Sequence, residues 1–212
     1  ELTCKFCDTP LSFVENRFCR VEHPAFSKRF QNIPNPIVPD QLNEILSGYN
    51  DRILVLTGGE PLQKAAFLKN WLPTARLKFR LLLETAGVHV SEFREIANWI
   101  DIVSMDFKLP SVTGMHPWWR EHEAFLRMAL DLTKEVYVKA VGSSEMQEED
   151  FLKGIDLIAS LGPSVPLVLQ PASPFGRFRS APTLEQLSRW QDLAAAKLRD
   201  VRVIPQLHKQ LG

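Results

Sequence analysis

From residue 40 onward the apolar positions fall into two alternating rhythms. Short, nearly unbroken apolar runs predict strands over Ile53–Thr57, Phe79–Glu84, Asp101–Phe107, Val136–Val141, Pro166–Gln170 and Val201–Ile204. The run at residues 53–57 has no polar alternation and reads as a strand buried on both faces. Between the runs, apolar residues return every three or four positions. That spacing predicts helices over Asp40–Tyr49, Leu62–Leu72, Ser91–Trp99, Pro117–Thr133, Gln147–Leu161 and Thr183–Leu198. Ser91 is a candidate N-cap, Thr183 caps with Glu185 and Gln186 close behind, and Gly162-Pro163 stops the helix before it. Six strand–helix alternations predict an α/β fold with a parallel sheet and right-handed crossovers. No sequence repeat accompanies the period and composition does not shift, so residues 1–212 read as one domain.

The segment from Pro10 to Pro39 lacks either rhythm. Pro24, Pro34, Pro36 and Pro39 interrupt any helix, and the expectation is a long loop with one helical turn at most.

Composition narrows the classes. Apolar residues make up 45% of the 212, and 25 basic residues balance 25 acidic ones to a net charge of zero. No strong field draws the chain to nucleic acid or to an anionic membrane, and neither is an expected partner. No stretch is apolar for long enough to span a bilayer. The three cysteines, Cys4, Cys7 and Cys19, all lie in the first twenty residues. Such clustering suits a metal site in a reducing cytoplasm better than a disulfide framework. No signal peptide is visible, although the chain lacks an initiator Met, which weakens that observation.

Cys4 and Cys7 stand three apart, followed by Asp8 and Thr9. A C-x-x-C pair can hold a metal centre or form a redox couple. A Cys directly before Glu1 would make the run C-x-x-x-C-x-x-C, the spacing for three irons of a cubane cluster. Zinc held by Cys4, Cys7, Cys19 and His23 is the competing reading. A thioredoxin-like pair would want the motif at a helix start after a strand, in a smaller fold.

In a parallel α/β sheet ligands gather at the carboxyl ends of the strands. Those ends here are Thr57-Gly58-Gly59-Glu60-Pro61, Glu84-Thr85-Ala86-Gly87, Ser104-Met105-Asp106-Phe107-Lys108, Lys139-Ala140-Val141-Gly142, Gln170-Pro171-Ala172-Ser173 and Gln206-Leu207-His208-Lys209. Gly58-Gly59 lets a ligand approach backbone, or simply ends a strand in a tight turn. It is not a phosphate loop of either common pattern. Glu84 can accept hydrogen bonds from a ribose or an ammonium, or sit in a salt bridge. Asp106 and Lys108 can pair with each other. His208 taken alone reads as a satisfied core or surface histidine, and Cys19 as an unpaired thiol. Trp118-Trp119-Arg120 reads as packing at a helix start.

Together these residues resemble the radical S-adenosylmethionine superfamily, and within it the 7-carboxy-7-deazaguanine synthases. Cys4-x-x-Cys7-Asp8-Thr9 is similar to the end of that family's C-x-x-x-C-x-x-C-D-T. Thr57 to Pro61 matches T-G-G-E-P, and Glu84 to Gly87 resembles E-T-x-G. The closing Gln206-x-His208-Lys209 falls in the family's order.

The resemblance implies a partial (β/α)6-type TIM barrel whose first strand is missing here. It implies a [4Fe-4S] cluster on Cys4, Cys7 and a third cysteine. S-adenosylmethionine would be bound by Phe6, Cys7, Asp8, Gly59, Glu84, Ser104, Met105, Asp106, Gln170, Pro171, Ala172 and Ser173. Thr9 would ligate Mg²⁺ and Thr57 would touch the substrate, 6-carboxy-5,6,7,8-tetrahydropterin. A 5′-deoxyadenosyl radical would take a hydrogen atom from the pterin, whose ring contracts with loss of ammonia. A flavodoxin-like electron donor and a homodimer are the implied partners. The family's substrate-binding segment before the cluster loop and the first cluster cysteine are not in this sequence. The 212 residues by themselves are therefore expected to bind the cluster poorly and to be inactive. Two alternatives stand beside this reading: a glycyl-radical-activating enzyme, and a catalytically inactive cluster- or zinc-binding module.

Overall fold

A computed structural model describes residues 2, 4–7, 14, 16–24 and 27–206. The first regular structure is an antiparallel hairpin, β1 (Phe18–Glu22) and β2 (Phe30–Pro34), with Phe18 opposite Pro34 and Glu22 opposite Phe30. This corrects the expected loop. The prolines do not oppose the pairing, because Pro24 lies in the connection, Pro34 ends β2 and Pro36 follows it. Pro39 begins the next helix, α1 (Pro39–Ser47), at the first-turn position where proline costs no hydrogen bond. The hairpin rests on the far end of α1, where the Tyr49 hydroxyl donates to the Glu22 carbonyl and the His23 ring meets Tyr49 edge-on.

The regular part follows as strands alternating with helices, with two helices in succession between β5 and β6. The order is β3 (Ile53–Leu56), α2 (Ala65–Ala75), β4 (Arg80–Thr85), α3 (Val90–Ile96), β5 (Ile102–Asp106), α4 (Pro110–Thr113), α5 (Trp119–Leu132), β6 (Glu135–Gly142), α6 (Glu148–Leu161), β7 (Leu167–Pro171), α7 (Leu184–Ala195) and β8 (Val201–Val203). The Thr183 cap of α7 forms a reciprocal capping box with Gln186. Ser91 does not cap α3. His89 occupies that position, and the Ser91 hydroxyl donates to Glu92. The one-turn α4 is too short for periodicity to reveal.

β3 to β8 form one six-stranded sheet, parallel throughout, in which each strand neighbours the next in the chain. Sequential order is that of a barrel wall; a doubly wound sheet reverses direction partway. The core lies where the sheet meets the helices, with Leu81, Leu83, Val103, Met105 and Val138 against Phe93, Phe125, Phe151 and Ile155. β3 departs from the expected double burial. Ile53 is 44% and Val55 47% exposed, and among the described residues β4 is the strand's one partner. A continuous apolar run has the same pattern at a sheet edge and at its centre, so spacing could not separate the two. No helix among the described residues is long and apolar enough to cross a membrane.

Candidate active site

A cavity of about 430 Å³ opens at the carboxyl ends of the strands. All six strands of the sheet supply its lining. Thr57, Gly58, Gly59 and Glu60 follow β3; Glu84, Thr85 and Ala86 end β4; Asp106 and Lys108 close β5; Lys139 and Val141 lie on β6; Gln170 ends β7; Gln206 follows β8. Leu2, Cys4, Phe6 and Cys7 form the remaining wall.

That wall is a turn tied down at several points. The Cys7 amide donates to the Cys4 carbonyl at 3.1 Å, and the Lys5 amide donates to the Thr113 carbonyl of α4 at 3.3 Å. Lys5 Nζ reaches Glu145 at 3.6 Å, and the Phe6 ring meets Phe178 edge-on. Both thiols are half-buried and neither is in a disulfide. Burial pushes the Cys4 thiol up from its ordinary value, while the neighbouring Lys108 ammonium pulls the other way.

A chain of alternating charges crosses the floor. Lys108 Nζ donates to Asp106 Oδ2 at 2.9 Å. Lys139 Nζ lies 3.5 Å from that same oxygen and also pairs with Glu84 Oε1. The Thr57 hydroxyl lies 3.4 Å from Glu84 Oε2. Burial alone would push the Asp106 carboxyl up, but the Lys108 and Lys139 ammoniums outweigh it and hold the group below its ordinary value. The two lysines are raised in turn. For each, burial acts downward and the adjacent carboxylates win.

A second carboxylate fixes the walls. Glu60 is 7% exposed and accepts from the Leu62 amide at 3.1 Å, the Thr85 hydroxyl at 2.7 Å and the Ala86 amide at 2.8 Å. It therefore joins the Gly58-Gly59 turn to the turn after β4. Behind that turn the fully buried His122 places Nε2 3.1 Å from the Ala86 carbonyl. A carbonyl only accepts, so Nε2 carries the proton. Burial pulls His122 down to about 4, and the ring is neutral at physiological pH.

The sequence-derived candidates divide clearly. Cys4, Phe6, Cys7, Thr57, Gly59, Glu84, Asp106 and Gln170 come together around the cavity. Ser104 shares the face of Asp106 but lies one pleat deeper, 2% exposed, in register with Glu84 and Tyr137. The Met105 side chain enters the core and packs against Gly87. Pro171, Ala172 and Ser173 continue beyond Gln170 without lining the cavity, and the Ala172 amide is held by the Gly142 carbonyl at 2.8 Å. Asp8, Thr9, His208 and Lys209 lie outside the described residues. Asp106 and Lys108 pair as the simpler reading expected.

Zinc on Cys4, Cys7, Cys19 and His23 is not assembled. Among the described residues no three His, Cys, Asp or Glu side chains gather as a metal site. His23 turns instead to Gly48 and Tyr49.

Lys139, Glu60 and His122 were given no role from the sequence. A signal existed for the first, since Lys139 is the one charged residue inside the apolar run Val136–Val141.

The cavity lining fits part of what a cluster and S-adenosylmethionine require. Two thiols line one wall, and two buried acceptors, Asp106 Oδ1 and Gln206 Oε1, have no partner among the described residues.

No family model matches the chain. Its fold is similar to TYW1 with a lysine–pyruvate adduct bound, with a TM-score of 0.58 at 12% identity over 78% of this chain and 65% of that one. It is similar to Streptococcus suis SuiB bound to S-adenosylmethionine, with a TM-score of 0.58 at 14% identity over 85% and 45%. It is similar also to anSMEcpe with bound AdoMet, with a TM-score of 0.59 at 10% identity over 94% and 57%. The chain thus shares the fold of these three proteins, a parallel sheet with its strands in chain order as in a partial barrel. Sequence comparison narrows the class. The chain is 33% identical over 218 residues to 7-carboxy-7-deazaguanine synthase of Geobacter sulfurreducens, covering 100% of this chain and 85% of that one. It is 34% identical over 219 residues to the enzyme of that name in Methanopyrus kandleri, covering 98% and 81%. The chain belongs to the 7-carboxy-7-deazaguanine synthase family.

Proposed function

We propose that this protein converts 6-carboxy-5,6,7,8-tetrahydropterin into 7-carboxy-7-deazaguanine and ammonia, a step toward 7-deazapurines. The observation that carries the reading is one cavity that joins the Cys4–Cys7 turn to polar groups from six successive strand ends. The substrate's atoms equal those of the two products, so the conversion needs no net oxidant.

When bound, the cluster and S-adenosylmethionine would supply the reductive radical chemistry needed for hydrogen-atom abstraction from the pterin. Cys4 and Cys7, with a third cysteine, would hold the cluster. The backbone at Gly59, with Glu84, Asp106, Gln170 and Phe6, holds S-adenosylmethionine, and Asp8 belongs to the same set. Ser104 and Met105 place the strand end that carries Asp106, and Pro171 to Ser173 place Gln170. Thr57 meets the substrate, and Thr9 offers Mg²⁺ a hard oxygen ligand. The protein's own contribution is to fix two reactants in contact and keep water away from them. The Glu60 clamp serves the first task by locking two walls together. An external donor such as flavodoxin supplies electrons, the protein acts in the cytoplasm, and two copies pair. The catalytic machinery occupies a single domain.

The test is product analysis. The protein expressed from its complete gene is incubated anaerobically with the pterin, S-adenosylmethionine, Mg²⁺ and a reductant. The expected result is 7-carboxy-7-deazaguanine with an equal amount of ammonia. Consumption of S-adenosylmethionine with the pterin recovered unchanged would overturn the substrate assignment.

A further inference from the structure

Lys139 sits where three strands converge on the cavity. It lies on β6, in register with Asp106 on β5, and reaches across β5 to Glu84 on β4. Its side chain is 14% exposed, and that of Asp106 is 12% exposed. Ser104 lies on β5 in register with Glu84, two residues before Asp106 and on the same face. Its short side chain leaves a lane over β5 along which the lysine can extend.

The pairing has a geometric consequence. Asp106 Oδ2 is shared by Lys108 and Lys139, while Oδ1 is buried with no partner among the described residues. Two ammoniums on one oxygen fix the plane of the carboxylate and reserve the other oxygen for a donor that a ligand must bring. A buried acceptor left unmet is costly, so a ligand with a matching hydroxyl or amino group is favoured at that position. Glu84 is fixed in the same way, by Lys139 on Oε1 and by Thr57 on Oε2. Without Lys139, Asp106 would keep Lys108 and Glu84 would keep Thr57, but no cation would bridge the two carboxylates.

We infer that Lys139 is a positioning residue: its ammonium holds the Glu84 and Asp106 carboxylates in the orientation that receives the hydroxyl and amino donors of S-adenosylmethionine. The inference rests on the reading of this cavity as the cofactor site.

The test is a double-mutant cycle on the reconstituted protein, made from the complete gene. S-adenosylmethionine affinity is measured by calorimetry and unfolding by thermal melting, for wild type, Lys139→Met, Glu84→Gln and the double variant. Lys139→Met is expected to weaken binding on the order of ten- to a hundred-fold, as truncation of one member of a buried charge pair does. Glu84→Gln is expected to weaken binding in the wild-type background and to add little once Lys139 is gone. Lys139→Arg, which keeps two donors in reach, is expected to recover most of the loss. A merely structural lysine would lower the melting temperature without this coupling or rescue. Wild-type affinity in Lys139→Met, or fully additive losses, would overturn the inference. Wild-type affinity in Glu84→Gln would instead overturn the cofactor reading itself. Should Lys139→Met fail to fold, Lys139→Gln enters the same cycle and decides by the same criteria.

Discussion

The Glu60 carboxylate accepts the Ala86 amide at 2.8 Å, and this contact fastens the turn after β3 to the turn after β4. The same side chain also accepts from Thr85 and Leu62. Glu60→Ala would leave three donors without their acceptor. It is expected to cost about 3 kcal/mol of folding stability, with Glu60→Gln nearer 1–2 kcal/mol because one acceptor oxygen remains. Urea denaturation checks both values. S-adenosylmethionine affinity is expected to fall in the same order, since Gly59 and Glu84 lie on the two joined walls.

Gly87 adopts φ +66°, and a Cβ there would stand 2.7 Å from the Met105 side chain. Gly87→Ala combines backbone strain with overlap in the core and is expected to destabilise the protein by about 2–4 kcal/mol. Shortening Met105 removes the overlap but not the strain. The Gly87→Ala, Met105→Ala double variant is therefore expected to lose less than the sum of the single losses. Full additivity in denaturation would show that the contact is not limiting.

His122 gives the fold a pH dependence of defined sign. Burial holds the folded-state value at about 4, against 6.5 for an ordinary histidine; the hydrogen bond to Ala86 and the Asp106 carboxylate pull it up by less, and the Lys108 ammonium adds to the lowering. Between those values the unfolded chain takes the proton and the folded chain does not. The contribution is complete above pH 6.5 and is lost as pH falls from 6.5 toward 4, about 2 kcal/mol by pH 5. His122→Gln can still donate to the Ala86 carbonyl and cannot titrate. Comparing the two proteins by urea denaturation at pH 7.5 and pH 5 isolates the effect. Equal pH sensitivity in both would contradict it.

Ser104 separates space from chemistry. If its role is to leave the lane open between Lys139 and Glu84, Ser104→Ala binds S-adenosylmethionine as wild type does. Ser104→Val, which fills the lane, is expected to destabilise by about 1–3 kcal/mol and to weaken binding. An equal loss of binding in both variants would assign the role to the hydroxyl instead.

Much of the fold was legible because the six strand–helix units differ in period, and period is a local property. Thr183 was read correctly as a cap for the same reason, since its partner Gln186 is three residues away. What stayed hidden depends on distant partners. The β1–β2 hairpin pairs Phe18 with Pro34 through a proline-containing connection that resembles a loop when read locally. Ile53 and Val55 are exposed because of where β3 sits in the sheet, which its own residues do not encode. At the site, motif spacing located Cys4, Cys7, Gly59 and Glu84. The placement of Lys139 over Glu84 is a matter of register across three strands, and no window on the sequence contains it.

The most direct measurement is iron content beside S-adenosylmethionine cleavage. The protein, expressed from its complete gene, is reconstituted anaerobically with iron and sulfide, and 5′-deoxyadenosine is followed with and without the pterin. The expected result is about four irons per chain, lost on Cys4→Ala or Cys7→Ala, with deoxyadenosine formation that depends on the substrate. One zinc per chain, or no metal and no deoxyadenosine, would contradict the assignment of this cavity to radical chemistry.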